Sequence, residues 1–137
     1  MDKYARGFIK ASLVYLGVGA GLGIMMLVWP DIRFTLTRVH THITLLGFMA
    51  MMIYGVGYHI LPRFMGRPVY SHRLGTVQVW LANITLIGLS FSWIMGAIQG
   101  GIWYYFALLS GIGHAASIFL FIFNLWKSMT PQAAEQR

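Results

Sequence analysis

The chain has 137 residues, 58% hydrophobic and 9% charged, with a formal net charge of +7 and no cysteine. A soluble domain carries about a quarter charged residues, so this composition cannot cover a globular surface and points to an integral membrane protein. The positive charge sits at the ends of apolar segments, so a membrane accounts for it and nucleic acid is not the expected partner.

The first apolar segment, "FIKASLVYLGVGAGLGIMMLVW", covers about residues 8–29 and is closed by Pro30. It is too long for the core of a cleavable signal peptide and shows no small-residue cleavage site, so it is expected to stay in the membrane as an anchor. Gly17, Gly19, Gly21 and Gly23 form two overlapping G-x-x-x-G pairs, expected to serve packing within the bundle. The second helix is expected over 32–62, starting after Pro30 and Asp31 and closed by Pro62. The third is expected over 74–98, ending at "QGG", and the fourth over 102–128, with Pro131 beyond it. Segments of this length cross a hydrocarbon core of roughly 30 Å with some tilt. The expected fold is all-α: an integral membrane four-helix bundle forming one domain over 1–137. The methionine clusters "IMML" and "MAMMIY" are expected to fill its core.

Four spans put both termini on one side. That side would hold Lys3, Arg6, Lys10, Arg63, Arg67, Arg73, Lys127 and Arg137, leaving Arg33 and Arg38 of the ten basic residues on the other. The asymmetry predicts cytoplasmic N and C termini in the inner (cytoplasmic) membrane. Trp29, Trp103, Tyr104 and Tyr105 then fit the outer aromatic belt, and Trp80 and Trp126 the inner one.

Without cysteine there are no thiolate metal sites, iron–sulfur ligands or covalently attached c-type haem, which leaves histidine as the obvious ligand. His72 in the loop and His59 near a helix end are expected to be solvated or to snorkel. His114 falls near mid-membrane, where an ionisable group is a functional candidate. The alternative for it is a neutral imidazole hydrogen-bonded to a neighbour such as Ser110, Ser117 or a facing backbone. His40 and His42, in "VHTH", are two residues apart, about 200° around a helix axis. They cannot clamp one ion between them, so each is expected to serve a different flank. Arg38 beside them suits anionic groups such as haem propionates. Gly47, Gly55 and Gly57 are expected to leave room for a flat macrocycle.

Two stretches resemble the haem–copper oxidase subunit I superfamily. "RVHTHITLLGFMAMMIYGVGYHILPR" resembles its haem-ligand helix, with an arginine, a histidine and a glycine-containing apolar helix closed by Tyr-x-x-x-Pro-Arg. "LPRFMGRPVYSHRLGTVQVW" resembles the loop and next helix of the C-type oxidases. The resemblance covers about Arg38 to Trp80. It implies that His40 falls on the low-spin haem ligand and His42 close to a copper-ligand position. "HTH" also resembles a further family helix, on which two histidines two apart ligate two haems on opposite flanks. The chain departs from the family in having four spans instead of about twelve and no tandem His-His pair.

The resemblance implies a b-type haem protein with His40 and His42 as axial ligands and His114 as an alternative ligand. Neutral imidazoles hold haem b without cysteine, and Thr41, Thr44 or backbone carbonyls are expected to orient the rings. Two axial histidines would make an electron-transfer centre; one would leave a position for O₂ or NO. Full oxygen reduction by one chain is not expected, and copper would have to be completed between protomers. The pseudo-threefold family fold implies a homo-oligomer, a trimer before a dimer, although dimers are the commoner closed oligomers. His40 of one protomer would face His42 of the next across a haem, and a redox partner would supply electrons. The rival readings are a haem or copper transporter or sensor, and an accessory structural subunit.

Overall fold

A computed structural model describes residues 1–130. Pro131, the expected helix stop, and Arg137, one of the end charges, lie outside the described residues. The helices are α1 (Lys3–Val28), α2 (Pro30–Phe64), α3 (His72–Gln99) and α4 (Trp103–Met129), each long and apolar enough to cross a membrane. Among the described residues there is no strand. The protein is thus an all-α bundle of four membrane-length helices.

Local chemistry sets the boundaries and moves several from their expected places. Trp29 is extended (φ −121°, ψ 87°), as a residue before proline must be, and this separates α1 from α2. Pro62 does not close α2, which runs on to Phe64. The stop is Gly66, in the left-handed region at φ 62°, with its N–H on Arg63 O and the Arg67 N–H on Pro62 O. Those two bonds form a Schellman cap, which ends a helix by satisfying its last carbonyls. α3 begins at His72, two residues before the apolar run, because the Ser71 Oγ accepts the Leu74 N–H as an N-cap. Gly100 and Gly101, both with φ above 60°, make the turn into α4.

α2 is not uniform. A 3₁₀ turn at Pro30–Ile32 leads into α-helix over Arg33–His42, π-helix over Ile43–Ala50, and α-helix again over Met51–Phe64. His40 and His42 therefore lie on one side of a π segment, and Gly55 and Gly57 on the other.

The core is densest at the basic end, where aromatic rings from three helices meet. Tyr4 and Tyr58 stand edge to face at 5.1 Å, as do Phe8 and Tyr54 at 5.4 Å. Phe121 packs on Tyr54 at 4.6 Å and on Tyr58 at 5.2 Å. Such pairs add about 0.5–1.5 kcal/mol each beyond buried area.

The α2 glycines do not make room for a macrocycle, as the sequence suggests they would. A Cβ on Gly47 would meet the Tyr15 ring at 2.7 Å, one on Gly55 would meet Ile9 and Ala5, and one on Gly57 would meet the Phe121 ring. The missing side chains let α1 and α4 approach instead. At Gly55 the Cβ would lie 2.6 Å from Ile9 Cγ1 and 2.8 Å from the Ala5 carbonyl oxygen. Backbone cannot yield as a side-chain tip can, so α1 must shift. Gly55→Ala is expected to cost about 1–3 kcal/mol, read from equilibrium unfolding in mixed micelles. Gly17→Ala, with nothing within 4 Å of its Cβ, is expected to be neutral in the same assay.

At the other end the packing loosens. The Arg33–His42 part of α2 lies against α1 and α3 but does not approach α4. α3 and α4 share the most extensive interface in the bundle, and a cleft opens over them beside α2.

Candidate functional site

The cleft has a volume of about 860 Å³, within the range of roughly 300–1,000 Å³ usual for small-molecule and cofactor sites. α2 contributes Arg38 and His42, α3 contributes Leu89 and Trp93, and α4 contributes Ala107 and Gly111. On α4 small residues, Ala107, Gly111 and Ala115, alternate with the larger Tyr104, Leu108 and Ile112 along the cleft, and a Cβ on Gly111 would meet nothing within 4 Å.

His42 is half-buried on the α3 flank. Its ring stands edge-on to Trp93, centroids 4.4 Å apart. Its Nδ1 lies 3.0 Å from the Arg38 carbonyl oxygen. A carbonyl can only accept, so Nδ1 carries the hydrogen and Nε2 of the neutral ring keeps its lone pair. Fixing one ring nitrogen in this way orients the other toward a metal. Among the described residues no carboxylate or carbonyl holds the Arg38 guanidinium, which also lines the cleft.

His40 faces the other way. Its Nδ1 lies 3.0 Å from Gly19 O on α1, and its Cε1 would be 3.4 Å from a Cβ on Gly23. The G-x-x-x-G pair of Gly19 and Gly23 thus forms the floor beneath His40, while Gly17 and Gly21 have open space. The two rings of "VHTH" rest on different helices, one on α1 and one on α3. A carbonyl fixes each ring. Thr44 Oγ donates to the His40 carbonyl at 2.8 Å, not to either ring, and Thr41 is exposed.

His114 is 3% exposed. Its Nδ1 lies 3.2 Å from Thr85 Oγ1, not on Ser110 or Ser117. Thr85 already donates its proton to the Leu81 carbonyl at 2.6 Å, so it accepts from His114 Nδ1–H. His114 Nε2 is a buried acceptor without a partner among the described residues. His114 does not line the cleft, although Gly111 and Ala115 of its own helix do. Its partner Thr85 and the His42 partner Trp93 are eight residues apart on α3, about 12 Å along the axis. The two rings therefore rest at different levels of α3.

The remaining histidines are engaged at the basic end. His59 takes the guanidinium of Arg63, which also donates to the His59 carbonyl. His72 meets Tyr4 OH at 3.2 Å and Asp2 at 3.7 Å. Among the described residues no three histidine or acidic side chains gather as a metal cluster. Trp93 and Gly111 belong to the cleft without any sequence signal, since their role depends on how α2, α3 and α4 are placed.

No protein-family model matches the sequence. The chain is similar to the cbb3-type cytochrome c oxidase subunit CcoN1 of Stutzerimonas stutzeri, 31% identical over 103 residues, which is 70% of this chain and 22% of that protein. It is also similar to cytochrome c oxidase subunit 1 of Rhodobacter capsulatus, 35% identical over 66 residues, 47% of this chain and 12% of that one. The chain thus spans about a fifth or less of the length of these curated relatives. The partial similarities support a haem–copper-oxidase-like relationship for a multi-pass membrane protein.

Proposed function

We propose that this chain is a b-type haem-binding membrane protein related to haem–copper oxidase subunit I, and that the haem occupies the cleft beside His42. The observation that carries this reading is His42 itself, with Nδ1–H tied to the Arg38 carbonyl and Nε2 left as a free donor on a cofactor-sized cleft. The residues fit: one imidazole for iron, a cation for the propionates, and a largely apolar wall with a gap at Gly111 for the macrocycle. Bound haem would supply one-electron chemistry, serving electron transfer or reactions of O₂ or NO. The chain's own part is to hold the ligand ring, exclude water and neutralise the propionates.

The reading extends to assembly. Among the described residues His42 is the one histidine lining the cleft, so a second axial imidazole would come from another copy. In a closed ring of three, His40 of one copy would face the haem held by the next. Copper, with no such cluster among the described residues, would likewise take donors from two copies. The basic end faces the cytoplasm across the inner membrane in this reading, following the positive-inside asymmetry.

The test is the absorption spectrum of the detergent-purified protein after expression with haem supplied. A Soret band with sharp reduced α and β bands is the expected result, and a colourless protein overturns the reading. Gly111→Phe, which fills the gap in the α4 wall, is expected to weaken haem binding at least about tenfold by overpacking the site. Far-UV circular dichroism should stay unchanged, and haem titration reads the affinity.

A further inference from the structure

The basic end of the bundle carries a second, smaller cavity of about 240 Å³. Arg67, Val69 and Tyr70 of the α2–α3 loop line it together with Lys127 and Ser128 at the end of α4. It is smaller than the roughly 300–1,000 Å³ of sites for drug-sized molecules, and suits a small polar head. Hydrogen bonds between loop and helix fix its walls. The Tyr70 N–H donates to Ser128 Oγ at 2.8 Å, and Arg67 Nη1 donates to the Met129 carbonyl at 3.2 Å. Val69 and Ser128 are both buried. The loop thus brings Arg67 to the side of Lys127, a residue of another helix.

The charge at this cavity is uncompensated. Of the chain's three carboxylate side chains, Glu135 lies outside the described residues. Asp2 sits 3.7 Å from His72, Asp31 lies at the opposite end of α2, and neither lines the cavity. One of the five guanidinium donors of Arg67 goes to Met129, which leaves others to take phosphate oxygens as a fork. Lys127 adds a second positive charge on an exposed stem. The last carbonyls of α4 are the negative end of its dipole, so holding an anion here falls to these two side chains.

The surroundings are those of a lipid head. Arg67 follows the cap of α2 and Lys127 lies in the last turn of α4, so both stand at the ends of membrane-length helices, where head groups lie. Tyr70 and Phe123 stand edge to face at 5.9 Å, 51% and 47% exposed. Phe119, four residues from Phe123 and on the same face of α4, is 68% exposed. Two cations, an aromatic pair and an apolar stripe follow one another, as phosphate, glycerol and acyl chain do in a phospholipid.

We propose that this cavity binds the phosphate of a phospholipid of net negative charge, with the acyl chains along Phe123 and Phe119. A zwitterionic head would bring its own ammonium against Arg67 and Lys127. Free phosphate shares the oxygens but leaves the aromatic stripe unused. The site is at the other end of the bundle from the cleft and does not rest on haem binding.

The test is native mass spectrometry of the purified full chain in detergent, titrated with phosphatidylglycerol or phosphatidylcholine of identical acyl chains. Each basic residue near a lipid head contributes about fivefold, so the first phosphatidylglycerol is expected to bind at least about tenfold more tightly than phosphatidylcholine. The double variant Arg67→Gln, Lys127→Gln is expected to lose this preference. The double variant Lys3→Gln, Arg73→Gln, which removes the same charge from exposed positions outside the cavity, should keep it. Equal binding of the two lipids by the wild type overturns the proposal. An equal loss in both double variants overturns it too, by assigning the preference to diffuse surface charge. Inorganic phosphate equimolar with the lipid is expected to displace none of it, and displacement would make this a site for a soluble anion instead. Should Arg67→Gln disturb the loop, Lys127→Gln alone decides: the preference should fall about fivefold, and an unchanged preference overturns the proposal.

Discussion

His42→Ala is expected to abolish haem binding. Among the described residues the ring is the one imidazole on the cleft, and two constraints hold it: Nδ1–H on the Arg38 carbonyl and its edge-on packing against Trp93. Loss of a group that merely orients a ligand costs 10–100-fold in affinity, so loss of the ligand itself should cost at least about 100-fold. The Soret band should vanish, or broaden and blue-shift as any residual haem sits unligated. His42→Gly leaves a ring-sized hole at the same place, and added imidazole is expected to restore the spectrum there. His114→Ala should leave the spectrum intact, because His114 does not line the cleft and its Nδ1 is held by Thr85. Haem lost in His114→Ala but kept in His42→Ala would move the site to the bundle interior. His40→Ala separates the single-chain site from the ring of copies. In the ring it converts a low-spin spectrum to a high-spin one, whereas for a self-sufficient chain it changes nothing at the iron.

Asn124→Leu is expected to be the most destabilising substitution that leaves the cleft untouched. Asn124 is fully buried, donates to the Ser71 carbonyl at 2.9 Å and accepts the Ser71 N–H at 3.0 Å. It thereby pins the residue that caps α3. Leucine would strand both backbone groups of Ser71 and one bond of Tyr58, for about 2–4 kcal/mol in total. The midpoint of denaturation in mixed micelles checks the magnitude. Hydrogen exchange checks the cause, since the Ser71 amide should exchange faster while the Tyr70 amide, bonded to Ser128 Oγ at 2.8 Å, changes less. Unchanged exchange at Ser71 would show that the loop is held some other way.

Much of this architecture could be read from the residues. Four apolar runs of membrane length allow little except four helices. The 200° separation of His40 and His42 follows from helical geometry, and the rings do rest on different helices. The ends were less legible, because a serine cap and a left-handed glycine outweigh the proline and the apolar pattern that announce a boundary. The glycines of α2 show a deeper limit. A missing side chain says that space is needed, but not whether a cofactor or the Tyr15 ring fills it. The cleft depends on α4 standing away from the first turns of α2, a relation between distant segments that no local pattern encodes.

The π-helical stretch Ile43–Ala50 bears on how the two halves of α2 are aimed. A π turn carries more residues than an α turn, so it acts as a rotational offset between the Arg33–His42 half and the Met51–Phe64 half. Each residue corresponds to about 100° of azimuth in α-helix, so a single position decides whether His42 looks at α3 or at lipid. The glycines that lock α2 to α1 and the histidines that address its flanks are thus phased separately along one rod. The bundle can tighten its seam without turning its ligands, and the ligands can be re-aimed without loosening the seam.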